Sequence, residues 1–333
     1  INWVTSLGLM GGKSDNSFSP SGTASRAEAA TVLYRLCKLI DETNTSDIFL
    51  SALSEKMEAV EPYSDYESDE YQTISLKGSE ISFSGTGAET DGSTVKITKA
   101  GTYVISGSLG DGRIIVDSED DENVRLVLNN AKISSSDGPP IFIKNAKNTI
   151  LSLPAGTENA LTDGTKNTYD KNASGALFSA DDLWINGSGS LKITANYKDG
   201  ISGNDDVKIT QAKITIDAAD DGISANDSVI LAGADVTVSA KGDGVKATTE
   251  DKIQKGYVAV TGGSLNITSG ADGLQSATLL YMKSGTVAVD TTGGDSGGSE
   301  NSAKGLKSGG GIVIGDGKFN IDSIDDAIHS NGM

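Results

Sequence analysis

Cysteine and histidine are almost missing from this 333-residue chain, which carries one of each, Cys37 and His329. A disulfide framework and a CxxC metal or redox site are excluded, and a histidine-rich zinc centre or a Ser-His-Asp triad lacks its material. Prolines number five, aromatics make up 5% of residues, and positive charge is short, with 27 Lys and Arg against 46 Asp and Glu. The resulting net charge of −19 disfavours nucleic acid and anionic membranes as partners. No apolar run approaches the roughly 18 residues of a membrane-spanning helix, so no membrane span is expected. A signal peptide is not evident and Ile1 opens in mid-pattern, which predicts a mature chain or a fragment. What is plentiful is glycine, at 41 residues, together with short β-branched runs.

Composition divides the chain into three parts: 1–40, 41–71 and 72–333. The first predicts a small N-terminal α-helical segment. Ser25-Arg26-Ala27-Glu28 is a capping box, and Ala29, Val32, Leu33, Leu36, Cys37 and Ile40 follow on one helical face. Residues 41–71 carry ten acids against Lys56, which reads as a solvated acidic linker. From Thr73 onward the alternation of apolar residues with Gly, Asp, Asn and Ser predicts strands and turns.

An internal repeat organises the third part. Asp-Gly-Ile-Ser stands at 199–202 and 221–224, and related segments place origins at 176, 200, 222, 244, 273, 305 and 327. The base period is 22 residues, with two longer intervals of 29 and 32. Apolar residues recur at +1, +7, +9, +14 and +16, as in Ile201, Val207, Ile209, Ile214 and Ile216. Three alternating runs per period predict a parallel β-helix, with three short strands in each coil of ~22 residues stacked at about 4.8 Å. A β-sandwich would not hold five apolar columns in register. Right-handedness is the usual expectation for such crossovers. Excursions at Ala155–Lys171, Thr248–Gly256 and Thr291–Ser302 mark the variable rim.

The candidate chemistry lies at the −1 position, where Asp199, Asp221, Asp243, Asp272 and Asp326 stack, with Asp220 and Asp325 doubling the charge. Carboxylates about 4.8 Å apart repel by roughly 3.5 kcal/mol at an effective dielectric of 20. All-oxygen ligands select a hard cation, so Ca2+ is the expected cofactor; solvated turn chemistry is the plainer alternative. A further column, Asp181, Asp205 and Asp227, reads as turn residues. Outward at +2 stand Ser202, Ser224, Lys246, Gln275, Lys307 and His329. Lys246, Gln275 and Lys307 suit recognition of anionic sugars, although the lysines could equally neutralise the aspartates. As a lyase, the protein would use Lys246 or Lys307 as base. Trp184 and Tyr281 share the outward +8 position and are the candidate stacking residues.

Two family resemblances add to this reading. Ile1-Asn2-Trp3, the Gly8–Gly12 region, Phe18-Ser19-Pro20 and Ser25-Arg26-Ala27-Glu28 together resemble an S-layer homology motif. That resemblance implies attachment to cell-wall glycan through Arg26, at a cell surface of Gram-positive type. Residues 72–333 resemble the clostridial extracellular carbohydrate-binding β-helix proteins, which are similar to calcium-dependent pectate lyases. The matching segments are Gly101-Thr102-Tyr103-Val104-Ile105-Ser106-Gly107, Gly156-Thr157-Glu158-Asn159, Asp181-Asp182-Leu183, the Asp-Gly-Ile-Ser copies, Lys304-Gly305-Leu306 and Asp325-Asp326-Ala327-Ile328-His329-Ser330. The resemblance implies a right-handed β-helix, bound calcium and binding of plant-type polysaccharide. The expectation is therefore an extracellular, calcium-binding surface protein for acidic polysaccharide such as polygalacturonate, with cellulose as another candidate. A calcium-dependent polygalacturonate lyase and a self-assembling surface-layer or filament protein are the alternatives.

Overall fold

The computed structural model describes Tyr66 and residues 70–250, 254–292 and 303–332. Contacts divide the chain into two compact units, Ile1–Ala59 and Val60–Met333, and all strands among the described residues belong to the second. Every regular element among the described residues longer than one residue is a β-strand.

Most strands pair in parallel with the strand one layer away. Ile201 pairs with Ile223, Ile223 with Val245, Val245 with Leu274, Leu274 with Leu306, and Leu306 with Ile328. The strand Asp206–Thr210 pairs with Ser228–Ala232, and Lys213–Ala218 with Ala234–Ala240. Alternation along each strand sends one set of side chains inward. Ile201, Val207, Ile209, Ile214 and Ile216 are all buried in one continuous core, as are Ile223, Val229, Leu231, Val236 and Val238 above them. At the C-terminal end the same columns reach solvent, with Ile314 and Ile328 exposed.

The expected fold class needs correction. The strands form two sheets, one of 16 strands and one of 11, rather than three separate ladders. Two of the anticipated ladders are joined, because Tyr257–Ser269 and Leu279–Thr291 each continue through a corner as one 13-residue strand. Their pairing shifts register between Val260 and Ser264, where Gly262 and Gly263 have φ of 152° and 84°. Glycine tolerates these angles, so the chain bends while its ladder continues. Parallel pairing is also broken at the start, where Tyr71–Gly78 with Ile81–Ser84, and Ala88–Asp91 with Thr94–Ile97, are antiparallel. No α-helix occurs among the described residues; the expected N-terminal α-helical segment, 1–40, lies outside them and has no support. Among the described residues the fold is thus all-β, two mostly parallel sheets wrapped around one main core.

Glycines explain how the layers close. A Cβ on Gly200 would fall 2.3 Å from Ile216 Cγ2, and one on Gly222 would fall 2.3 Å from Val238 Cγ1. The chain at this corner lies directly on the core side chains of the same layer. A Cβ there would have to displace the core side chain, which favours Asp-Gly at this corner, although Ala176 and Ala327 hold the same place in the first and last copies.

Candidate functional site

The aspartates before these glycines face their neighbours across the layers. Asp221 N donates to Asp199 Oδ1 at 3.3 Å, Asp243 N to Asp221 Oδ1 at 2.8 Å, and Asp272 N to Asp243 Oδ1 at 2.9 Å. Lys304 N continues the series, donating to Asp272 Oδ1 at 2.9 Å. Each carboxylate therefore satisfies an amide at the corner, and all four aspartates are buried. Turn chemistry accounts for one oxygen of each residue.

The second oxygen is where the charge is handled. Lys246 Nζ bonds Asp221 Oδ2 and lies 3.5 Å from Asp243 Oδ2, and Lys307 Nζ sits 2.7 Å from Asp272 Oδ2. Burial works against the Lys246 ammonium, but the charge of Asp221 and its hydrogen bond, reinforced by Asp243, outweigh it and hold the pKa above the usual range. Burial pushes Asp243 up to about 6, with Asp221 adding to the effect and Lys246 opposing it. Asp199 is likewise raised to about 6, chiefly by burial, against a stabilising hydrogen bond from Ser174.

One end of the column differs from the rest. Asp199, Asp220 and Asp221 present carboxylate oxygens that all lie within 4.8 Å of one another, and Asp220 is exposed. Among the described residues no lysine or arginine pairs with Asp199 or Asp220. Two or three hard oxygen donors with an open side fit a calcium ion, which takes six to eight oxygens and would fill the balance from water or ligand. Asp325 and Asp326 are not part of this cluster, because Lys304 occupies the equivalent −1 place between Asp272 and Asp326. Asp325 pairs with Lys304, which holds its carboxyl below the usual range, and Asp326 Oδ2 lies 2.9 Å from His329 Nδ1.

The outward column of the 11-stranded sheet runs in register through Phe142, Phe178, Ser202, Ser224, Lys246, Gln275, Lys307 and His329. Lys246, Gln275 and Lys307 thus stand side by side. Trp184 and Tyr281 belong to the other sheet, in a column with Lys208, Ile230 and Ala259 between them. Lys208 Nζ lies 5.3 Å over the Trp184 ring. The structure does not bring these two aromatics to the lysine column.

Residues 91–333 match the family described as carbohydrate-binding domain-containing proteins. The chain belongs to this family. A relative of the same description from Acetivibrio thermocellus is 42% identical over 205 residues, 60% of this chain and 72% of its own length. Among solved structures, the gadolinium derivative of a polysaccharide lyase-like protein from C. thermocellum aligns with a TM-score of 0.68 at 31% identity. That alignment covers 75% of this chain and all of the other. Residues 1–30 match the S-layer homology domain, which indicates anchoring at the cell surface. No described helix is long and apolar enough to cross a membrane.

The carbohydrate-binding domain also holds aromatics that the repeat pattern did not bring forward. Phe142 and Phe178 stack at 5.5 Å, and Tyr169 meets Phe142 edge-on at 5.4 Å. Phe178 stands at the +2 place of the 176 copy, so extending the outward column by one copy would have found it. Tyr169 comes from the 155–171 excursion, which carries no periodicity to reveal its position. A second buried series is also absent from the sequence pattern: Asp206 N donates to Asp182 Oδ1 at 3.1 Å, and the Ser228 hydroxyl bonds Asp206 Oδ1. In the neighbouring column Asp227 is paired by Lys255, from the 248–256 excursion, and Asp181 Oδ2 accepts Ala146 N at 2.8 Å.

Proposed function

We propose that this domain binds an acidic polysaccharide of the polygalacturonate class on the outward column of the 11-stranded sheet, with calcium held at Asp199, Asp220 and Asp221. The observation carrying this reading is the juxtaposition of that carboxylate cluster, in which Asp199 and Asp220 have no lysine or arginine partner among the described residues, with the in-register Lys246, Gln275 and Lys307. Calcium would bridge protein and uronate carboxylates, which a surface of net charge −19 would otherwise repel. The lysines and Gln275 would orient the sugar chain through charge and hydrogen bonds. The S-layer homology match supports display of this domain at the outer face of the cell wall, with Arg26 as a contact to wall glycan.

Binding without turnover is favoured over lyase chemistry. A lyase base must give up its proton before attacking a C–H, and Lys246 is held protonated by Asp221 and Asp243. The expected result is calcium-dependent retention on immobilised polygalacturonate, with no unsaturated uronide released. Asp199→Asn with Asp220→Asn should abolish the calcium dependence. Retention that ignores both chelation and these substitutions would remove the calcium reading. Steady formation of unsaturated product, lost in Lys246→Ala or Lys307→Ala, would establish the enzyme instead.

A further inference from the structure

The 16-stranded sheet carries outward side chains that are nevertheless buried. Val229 and Leu231 enter the main core from one strand, and Val258 and Val260 from the next, which turns Ile230 and Ala259 away from it. Both are 0% exposed. Lys208 and Ile150 stand on the same outward column and are 5% and 8% exposed. Lateral neighbours shield the flanks of such side chains and leave their tips to water. Burial this complete calls for a layer above the sheet.

That layer must bring hydrogen-bond acceptors as well as apolar surface. Trp184 Nε1 and Thr210 Oγ1, both on this face, are shut off from water and meet no hydrogen-bond partner among the described residues. An indole N–H only donates, so its cover has to supply an oxygen. The buried ammonium of Lys208 asks for a carboxylate. Tyr66 already lies at one end of the face. It packs on Val104 and Val127, apart from the main core, and its hydroxyl accepts from Asn129 Nδ2 at 3.4 Å. Val127 is in register with Ser152, Asn186 and Thr210, so the Tyr66 contact continues onto the same surface.

The six residues before Tyr66 are Val60-Glu61-Pro62-Tyr63-Ser64-Asp65, and they belong to the same compact unit as the sheets. Their chemistry matches the face. Val60 and Tyr63 are apolar, Glu61 and Asp65 carry acceptors, and Pro62 lacks an N–H that would need a partner and biases Glu61 towards extended backbone. Their length matches too. Extended at about 3.3 Å per residue they span about 20 Å. The strand of Ile230 is four spacings from that of Val127, about 19 Å. On this scale Tyr63 reaches Trp184 and Glu61 reaches Lys208.

We propose that residues 60–65 dock in extended form across the outer face of the 16-stranded sheet, with Glu61 paired to Lys208 and with Val60 and Tyr63 covering Ile230 and Trp184. This contact is independent of the calcium reading. Trp184 then serves the chain's own packing, and the 11-stranded sheet is left as the face for a ligand.

Acetylation of the full chain with a lysine-directed reagent, read site by site in a mass spectrometer, tests it. Lys208 should react about tenfold more slowly than Lys192 and Lys213, which are exposed on the same sheet. Val60→Asp with Tyr63→Asp should raise Lys208 labelling about tenfold and leave Lys192 and Lys213 as they were. An unchanged β-sheet signal in circular dichroism will show that the variant folds. Should it fail to fold, Glu61→Lys, which alters one charge, decides the matter by raising Lys208 labelling several-fold. Fast labelling of Lys208 in the intact protein, or protection that persists in the folded variants, overturns the contact. Protection lost on dilution overturns it too, and assigns the face to a second copy of the chain.

Discussion

At the scale of single residues, the aspartate column performs two tasks with its two oxygens. Oδ1 closes the backbone ladder at a corner, and Oδ2 is left to a lysine or a ligand. Asp243→Asn keeps an acceptor for the Asp272 amide while removing a buried charge; Asp243→Ala removes both. Asp243→Ala should therefore destabilise by about 1–3 kcal/mol through the orphaned amide, while Asp243→Asn should cost far less. Acidity follows the same logic. Asp199 and Asp243 titrate near 6 in the folded chain against 3.8 ordinarily. Their folded values are raised, so the native state holds more protons than the unfolded state between about pH 4 and 6, and stability falls as pH rises through that window. With calcium chelated, thermal melts should show this contribution growing on acidification from pH 7 to 5. Asp199→Asn with Asp243→Asn should flatten the response, and an unaltered pH profile would deny these carboxyls their raised values.

At the scale of the element, the corners at Gly200, Gly222, Gly244, Gly273 and Gly305 press a glycine onto the core, and the alternation admits one register. Gly222→Ala would set its new methyl carbon 2.4 Å from Gly244 O as well as against Val238. Overpacking of this kind typically costs about 1–3 kcal/mol, read as a lower melting temperature. Ile223→Asp should be far more damaging, because it buries an unpaired charge between Ile201 and Val245. Ser224→Asp, one residue on and facing outward, should be mild. Equal melting temperatures for the two aspartate substitutions would show that the assigned faces are wrong.

At the scale of the molecule, a stack of layers gains stability from anything that ties neighbouring layers together. The calcium proposed at Asp199, Asp220 and Asp221 would join two of them. Free calcium at a hundred times its Kd should then stabilise the fold by about 2.7 kcal/mol through mass action. Asp220→Asn with Asp221→Asn should remove most of that rise in melting temperature, while Asp205→Asn, on a different corner, should leave it. A melt indifferent to both calcium and chelator would return these carboxylates to turn chemistry alone.

Much of the architecture could be read from periodicity, because a stacked fold repeats the same local demand in each layer. The buried columns from Ile201 to Leu306, the glycines at 200, 222, 244, 273 and 305 and the lysines beside the aspartates all follow from residue type and spacing. Alternation cannot report whether a corner interrupts a strand, and so it missed the continuous strands that merge two ladders through Gly262 and Gly285. Nor does spacing reveal what a carboxylate touches. Amide donors, Lys246 and Lys307 take both oxygens of Asp221, Asp243 and Asp272, which sequence alone offered to a metal, and Lys304 stands at the −1 place between Asp272 and Asp326. Trp184 and Tyr281 share a column, yet that column lies on the sheet away from the lysines. The Tyr169 contact was the least legible feature, since a 17-residue excursion with no period brings its ring onto Phe142. Local patterns determined which side chains face the core and which face water; only the packing of distant segments decided which outward residues share one surface, because that depends on contacts no periodic rule encodes.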